Sequence, residues 1–174
     1  MILASAILRS FEFKGVLVDF VRSRSFRKLK ILEINKAGSL NSVLKQHPGH
    51  RLITYPEFDM MNLGTEGNFY NLVVHSDTLE HVSEPVLGLS ECRRVARQDG
   101  RCIYTVPMIV DRLTRSRDGL PESSHGSPDS MDRGMKVFYE FGADAWCFPV
   151  KAGFGTIKLH TVDYPAGVAI EARC

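Results

Sequence analysis

The sequence predicts an α/β domain on a mixed, mostly parallel sheet, and three observations carry that reading. Short apolar strands stop abruptly in polar clusters, as Leu72-Val73-Val74 does before His75-Ser76-Asp77 and Ile31-Leu32-Glu33-Ile34 before Asn35. Strand-like and helix-like segments alternate through the middle of the chain. The chain closes on two strand-like segments spaced as a hairpin. Polar groups at the carboxyl ends of buried parallel strands are where open α/β sheets hold ligands, so two such ends point to a cofactor crevice.

Residues 4–23 have an amphipathic helical pattern, with Ile7, Leu8, Phe11, Leu17 and Phe20 on the apolar side and Gly15 as a possible break. Residues 29–34 read as the first strand. Ser39 or Asn41 caps a short helix through Leu44, which Pro48-Gly49 ends. Residues 51–55 are the second strand and 58–67 are irregular. Residues 72–75 form a third strand, buried on both faces by its unbroken apolar run. Residues 85–96 are helical, with Leu89, Cys92 and Val95 inward. A turn at Asp99-Gly100 leads into a strand over 101–106 that Pro107 stops. From 111 to 133 the chain is polar and rich in Arg, Ser, Gly and Pro, which suits a lid or a binding loop. Residues 139–152 then read as helix, and 156–164 and 168–173 as the hairpin strands around Pro165-Ala166-Gly167.

At 174 residues and 44% hydrophobic, the chain is long enough for one domain with a substantial core, and no second domain or internal repeat is visible. The expected division is a helical segment over 1–28, the sheet region, and the 111–133 loop. A net charge of +2 without a basic run or aromatic-basic interleaving argues against nucleic acid. Four cysteines with no C-x-x-C pair suit neither a zinc knuckle nor a disulfide framework, so buried reduced thiols are expected. The apolar start lacks a basic leader, and Arg9, Glu12 and Lys14 interrupt it. Nothing is long enough to span a membrane. The expected setting is the cytoplasm.

Over residues 29–107 by motif, and on to the C-terminal hairpin by layout, the chain resembles the class I, Rossmann-like S-adenosylmethionine-dependent methyltransferases. Glu33 matches the acid that ends the family's first strand. Asn35, Ala37 and Ser39 stand where glycines are usual, and Gly38 is shifted by one. Tyr70-Asn71-Leu72-Val73-Val74 looks like the family's fourth strand, with Asn71 in place of aspartate, and Leu79-Glu80-His81-Val82 matches a common motif after it. Gln98-Asp99-Gly100 replaces the usual Pro-Gly-Gly. The resemblance implies a three-layer sheet with a reversed last strand, S-adenosyl-L-methionine as cofactor, and methyl transfer to a small-molecule acceptor. The stretch between residue 55 and Leu72 is too short for a full crossover with its own helix and strand. Six strands are therefore expected, with the family's third strand region reduced.

The expected cofactor contacts are Glu33, Ile34, Asn35, Ala37, Gly38, Ser39, Glu57, Asp59, Met60, His75, Ser76 and Asp77. Glu33 can accept a hydrogen bond from a ligand ammonium or ribose, or fix the turn after it. The small residues of the 35–39 turn let backbone approach an adenosyl group, and Asn tolerates positive φ. Glu57, 24 positions after Glu33, can bind both ribose hydroxyls, while Asp59 competes for that role or sits by the adenine amino group with Met60 and Met61 against the ring. The resemblance makes His75, Ser76 and Asp77 the wall beside the sulfonium.

No catalytic residue stands out, and His81 and His125 are the candidates for moving a proton. Arg112, Arg115 and Arg117 either hold a phosphate or carboxylate or form a solvated face. Two other readings compete. A non-catalytic protein of the same fold would explain the missing glycines. A metal-dependent hydrolase could use His75, Asp77 and His81, although no metal is expected.

Overall fold

The computed structural model describes residues 2–124 and 136–174. The predicted N-terminal helix is two helices, α1 (Ile2–Ser10) and α2 (Leu17–Arg22). The chain reverses between them through Glu12 at φ 53° and Gly15 at φ 150°. Strand β1 (Ile31–Ile34) is buried along its whole length. A 3₁₀ turn (Gly38–Leu40) and the short helix α3 (Asn41–Leu44) then bring the chain back to β2 (His50–Ile53). Residues 54–69 run without a strand and lead into β3 (Tyr70–Ser76). Helix α4 (Pro85–Val95) starts at a proline, which fits the first helical turn because its missing N–H has no intrahelical partner there. Strand β4 (Ala96–Thr105) takes the expected Asp99-Gly100 turn as an irregularity in its pairing with β3, between Tyr70 and Leu72.

The main sheet has six strands in the order β2-β1-β3-β4 and then the two hairpin strands, β9 (Gly167–Arg173) and β8 (Thr156–Val162). The first four are mutually parallel, and β9 alone is reversed: it runs antiparallel to β4 on one side and to β8 on the other, so β8 points the same way as the first four. This is the expected mixed sheet, without the third strand that the short 54–69 segment has no length to supply. Asn71, which replaces an aspartate, has a structural role. Its Oδ1 accepts the Lys30 N–H at 2.9 Å and ties the start of β3 to that of β1.

Both faces of the sheet are apolar and covered. On one, Ile31, Leu72, Val74, Ile103 and Ala169 pack against Leu3 and Ile7 of α1 and Leu17 and Phe20 of α2. On the other, Leu32, Val73, Cys102, Tyr104 and Ile170 pack against Leu89, Cys92 and Val95 of α4. Burying each such side chain contributes about 2 kcal/mol, so the two faces together fix the three layers.

One expectation is corrected. Residues 139–152 are not a continuous helix: Tyr139–Gly142 is a strand, β7, and only Cys147–Lys151 is helical, α5. Strand β7 is the centre of a small second sheet between β5 (Met108–Ile109) and β6 (Arg115–Ser116). Close backbone packing accounts for Gly142, where a Cβ would lie 2.2 Å from the Arg112 carbonyl oxygen.

Candidate functional site at the strand exits

Because β1, β2, β3 and β4 are parallel, their polar carboxyl ends open on one edge of the sheet, with Glu33 beside Val74 and Ile34 beside Ile53. The turn after β1 is built by hydrogen bonds to Glu33, which is fully buried. The Ala37 N–H donates to one carboxylate oxygen at 2.8 Å. The Asn41 amide, at 2.8 Å, and the His50 ring, at 2.7 Å, reach the other. Burial by itself would raise the Glu33 pKa, but the bonds from His50, Asn41 and Ala37 outweigh it and hold the carboxyl below its ordinary value. Of the two roles open to Glu33, this geometry serves the second: one oxygen fixes the turn and the other ties it to the start of α3 and to β2.

Asn35 adopts φ 54° and Gly38 φ 55°, so the turn has two left-handed residues and the first is not glycine. Asn35 is secured through both its backbone and its side chain. Its N–H reaches the Ile53 carbonyl at 2.8 Å, and its Oδ1 accepts the Tyr55 N–H at 3.0 Å. A Cβ at Gly38 would meet nothing within 4 Å, so its requirement is conformational rather than steric.

The turn separates two cavities at the strand exits. One, of about 180 Å³, has walls from Ile34, Asn35, Asp59, Met60, Thr78 and His81. The other, of about 470 Å³, has Ala37, Ser76, Asp77, Thr105 and Met108 in its walls. Ser76 and Asp77 are set by the neighbouring strand end: Ser76 Oγ lies 2.8 Å from Thr105 Oγ1, and the Asp77 N–H donates to the Thr105 carbonyl at 3.1 Å. Of the residues expected at the cofactor, Ile34, Asn35, Ala37, Asp59, Met60, Ser76 and Asp77 therefore line the two cavities. Gly38 and Ser39 lie just beyond, in the 3₁₀ turn.

His75 and Glu57 lie outside both cavities. His75 lies on the right edge but on the covered face. Its ring is fully buried and stacked on Tyr104 at 4.6 Å, and it lines neither cavity. Burial pushes its pKa down to about 3, so it is a neutral core side chain. Glu57 is exposed on the segment after β2 and is in neither wall. The hydrolase reading loses its ligand set as well, because His75, Asp77 and His81 do not converge.

His81 lies in the wall of the smaller cavity, with Nδ1 2.9 Å from the Lys136 carbonyl and Nε2 3.7 Å from Glu80 Oε1. His125 lies outside the described residues. The three arginines do hold a carboxylate, but it is the chain's own: Arg112, Arg115 and Arg117 all converge on Glu140. The Arg115 hydrogen bond leads in pulling the Glu140 pKa to about 2.

Sequence reasoning missed Glu80. Its carboxyl is buried, and Oε2 has no hydrogen-bond partner among the described residues. Burial, reinforced by nearby Asp77, raises its pKa to about 7. It lines a third cavity, of about 220 Å³, with Pro107, Ser123 and Tyr139. The available signal was its place in Leu79-Glu80-His81-Val82, a polar group on a turn directly after a buried strand.

Residues 20–104 match the methyltransferase domain family. No curated protein matches the chain. Among solved structures, the carbon methyltransferase CurJ superposes with a TM-score of 0.62 at 15% identity, over 98% of this chain and 52% of CurJ. A candidate O-methyltransferase of Nostoc punctiforme PCC 73102 gives 0.56 at 17% identity, over 98% of this chain and 66% of that one. The Burkholderia thailandensis 1,6-didemethyltoxoflavin-N1-methyltransferase, solved with that compound and S-adenosylhomocysteine, gives 0.53 at 15%, over 90% and 76%. The chain thus spans about half to two thirds of the first two of these relatives.

Proposed function

Residues 20–104 match the methyltransferase domain family and lie on the class I fold, and from that match we propose that the chain binds S-adenosyl-L-methionine and transfers its methyl group to a small-molecule acceptor. The observation that carries the reading is the turn after β1, held by Glu33 with two left-handed residues, between two cavities at the parallel strand ends. The residues present suit the two ends of such a molecule. Met60 and Ile34 offer apolar walls for an adenine ring, and Asp59 an acceptor beside it. Ala37 lets backbone approach closely, and Ser76 and Asp77 supply polar groups for an amino-acid end.

The sulfonium, when bound, supplies an already activated methyl group. What remains for the protein is positioning, exclusion of water and removal of the acceptor's proton. Glu80 is suited to the last of these. A carboxyl titrating near 7 takes a proton at neutral pH and returns it to solvent readily. An acceptor with a hydroxyl or amine would occupy the cavity that Glu80 shares with Ser123 and Tyr139.

The near-neutral charge supports a small molecule over nucleic acid as acceptor, and the compound bound to the Burkholderia relative is of that kind. No described helix is long and apolar enough to cross a membrane. The four free thiols support a reducing compartment such as the cytoplasm. The test is incubation of the full chain with methyl-labelled S-adenosylmethionine and a panel of small hydroxyl and amine acceptors. Label transferred to at least one compound, and lost in the presence of excess S-adenosylhomocysteine, is the expected result. Cofactor binding with no transfer to any acceptor would favour the non-catalytic reading.

A further inference from the structure

A second chemistry-bearing cluster lies in the apolar layer beneath α4, away from both cavities. Pairing of β3 with β4 places His75 beside Tyr104 and Val73 beside Cys102. The two-residue strand period puts all four on the face that α4 covers. Cys92 of α4 points into the same space. The ligand atoms of His75, Cys92 and Cys102 lie within 4.8 Å of one another, and all three side chains are fully buried. Among the described residues this is the one such triplet.

The two thiols hydrogen-bond to each other, but the other polar atoms there are not satisfied by the fold. Neither ring nitrogen of His75 has a hydrogen-bond partner among the described residues, and neither does the Tyr104 hydroxyl, which feels both thiols electrostatically. Leaving one such group unmade costs about 1–3 kcal/mol, so three orphaned atoms around two thiols need a physical explanation.

We propose that His75, Cys92 and Cys102 form a structural zinc site that clamps α4 to β3 and β4. Two sulfurs and a neutral imidazole are a borderline-soft donor set suited to this ion. Zinc with bonds of about 2.3 Å to sulfur and 2.0 Å to nitrogen sets its ligand atoms roughly 3.5 Å apart, so the three side chains, whose ligand atoms lie within 4.8 Å of one another, would close in on the ion. As each zinc–sulfur bond forms, the thiol proton leaves to solvent. The imidazole binds through a lone pair and loses no proton. Three protein donors leave a fourth tetrahedral position, which a water held by the unpartnered Tyr104 hydroxyl completes. No step of the proposed methyl transfer depends on this site.

The test is elemental mass spectrometry of the full chain purified from zinc-supplemented cells, with Co(II) exchange. About one zinc per chain is expected, together with a cobalt–thiolate charge-transfer band and the intense visible bands of tetrahedral coordination. Cys92→Ala/Cys102→Ala should lower the zinc content roughly tenfold or more, and Tyr104→Phe should weaken affinity roughly tenfold without removing the site. Should the double variant fail to fold, the cobalt spectrum of the native chain decides. A native chain that takes up neither ion, zinc that persists in the folded double variant, or a Cys92–Cys102 disulfide in the native protein would each overturn the proposal.

Discussion

Replacing Asn35 by alanine removes both supports of the β1 exit, the tolerance of φ 54° and the acceptor for the Tyr55 N–H. A loss of about 1–2 kcal/mol in denaturant unfolding is expected, whereas Asn35→Gly, which keeps the conformation, should lose less than half of that. Two carboxyls give opposite pH signatures. Glu33 has a folded pKa below its ordinary 4.5, so its contribution is complete above that value and is lost as the pH falls below it. Glu80 has a raised folded pKa, so its contribution is complete below 4.5 and is lost as the pH rises through about 7. Equilibrium unfolding of Glu80→Gln should therefore show a flatter profile between 4.5 and 7 than the native chain, with about 3 kcal/mol at stake on the alkaline side. Identical profiles would mean that Glu80 is not held protonated. The positive φ at Asn35 was legible in the sequence, because asparagine stands where glycine is usual. The fate of His75 was not: an apolar run buried on both faces has no wet side, so nothing marked which face the histidine takes. The pairing of Glu33 with His50 depends on register between strands, which local sequence does not carry.

At the scale of elements, Glu140 holds the small sheet. Arg112 and β6 meet β7 through its carboxylate, and the Thr114 side chain is tied to the Gly142 backbone across the same junction. Glu140→Gln should raise amide exchange over residues 112–117 and 139–142 while leaving β1, β3 and β4 protected. Equal loosening of both sheets would contradict this division. Strand β7 escapes sequence reading because Tyr139 and Phe141 precede a stretch of helix-compatible residues, and a four-residue strand is too short for its alternation to stand out. Its partners, β5 and β6, have two residues each, and no sequence pattern identifies strands of that length. The described part of the 111–133 loop, residues 111–124, is pinned by its three arginines to Glu140 rather than featureless. The missing third strand, in contrast, followed from chain length alone: a parallel crossover needs a dozen or more residues, and the 54–69 segment would have had to hold a strand as well.

At the scale of the whole molecule, strand order does the functional placing. Putting β1 between β2 and β3, all parallel, gathers the polar ends of three strands on one edge, and the hairpin completes the sheet and brings its turn, Ala166 and Gly167, to the larger cavity on that edge. That layout was readable because long apolar strands and the closing turn are strong local signals. The division of the edge into separate cavities was not, since it depends on Glu33 locking a turn from below. Isothermal titration of the native chain with S-adenosylhomocysteine tests the central claim most directly. Saturable binding of one molecule per chain is expected, weakened by Asp59→Ala and by Asn35→Ala and largely retained by Asn35→Gly. A folded chain that releases no heat and shows no thermal stabilisation at saturating ligand would contradict cofactor binding at the strand exits.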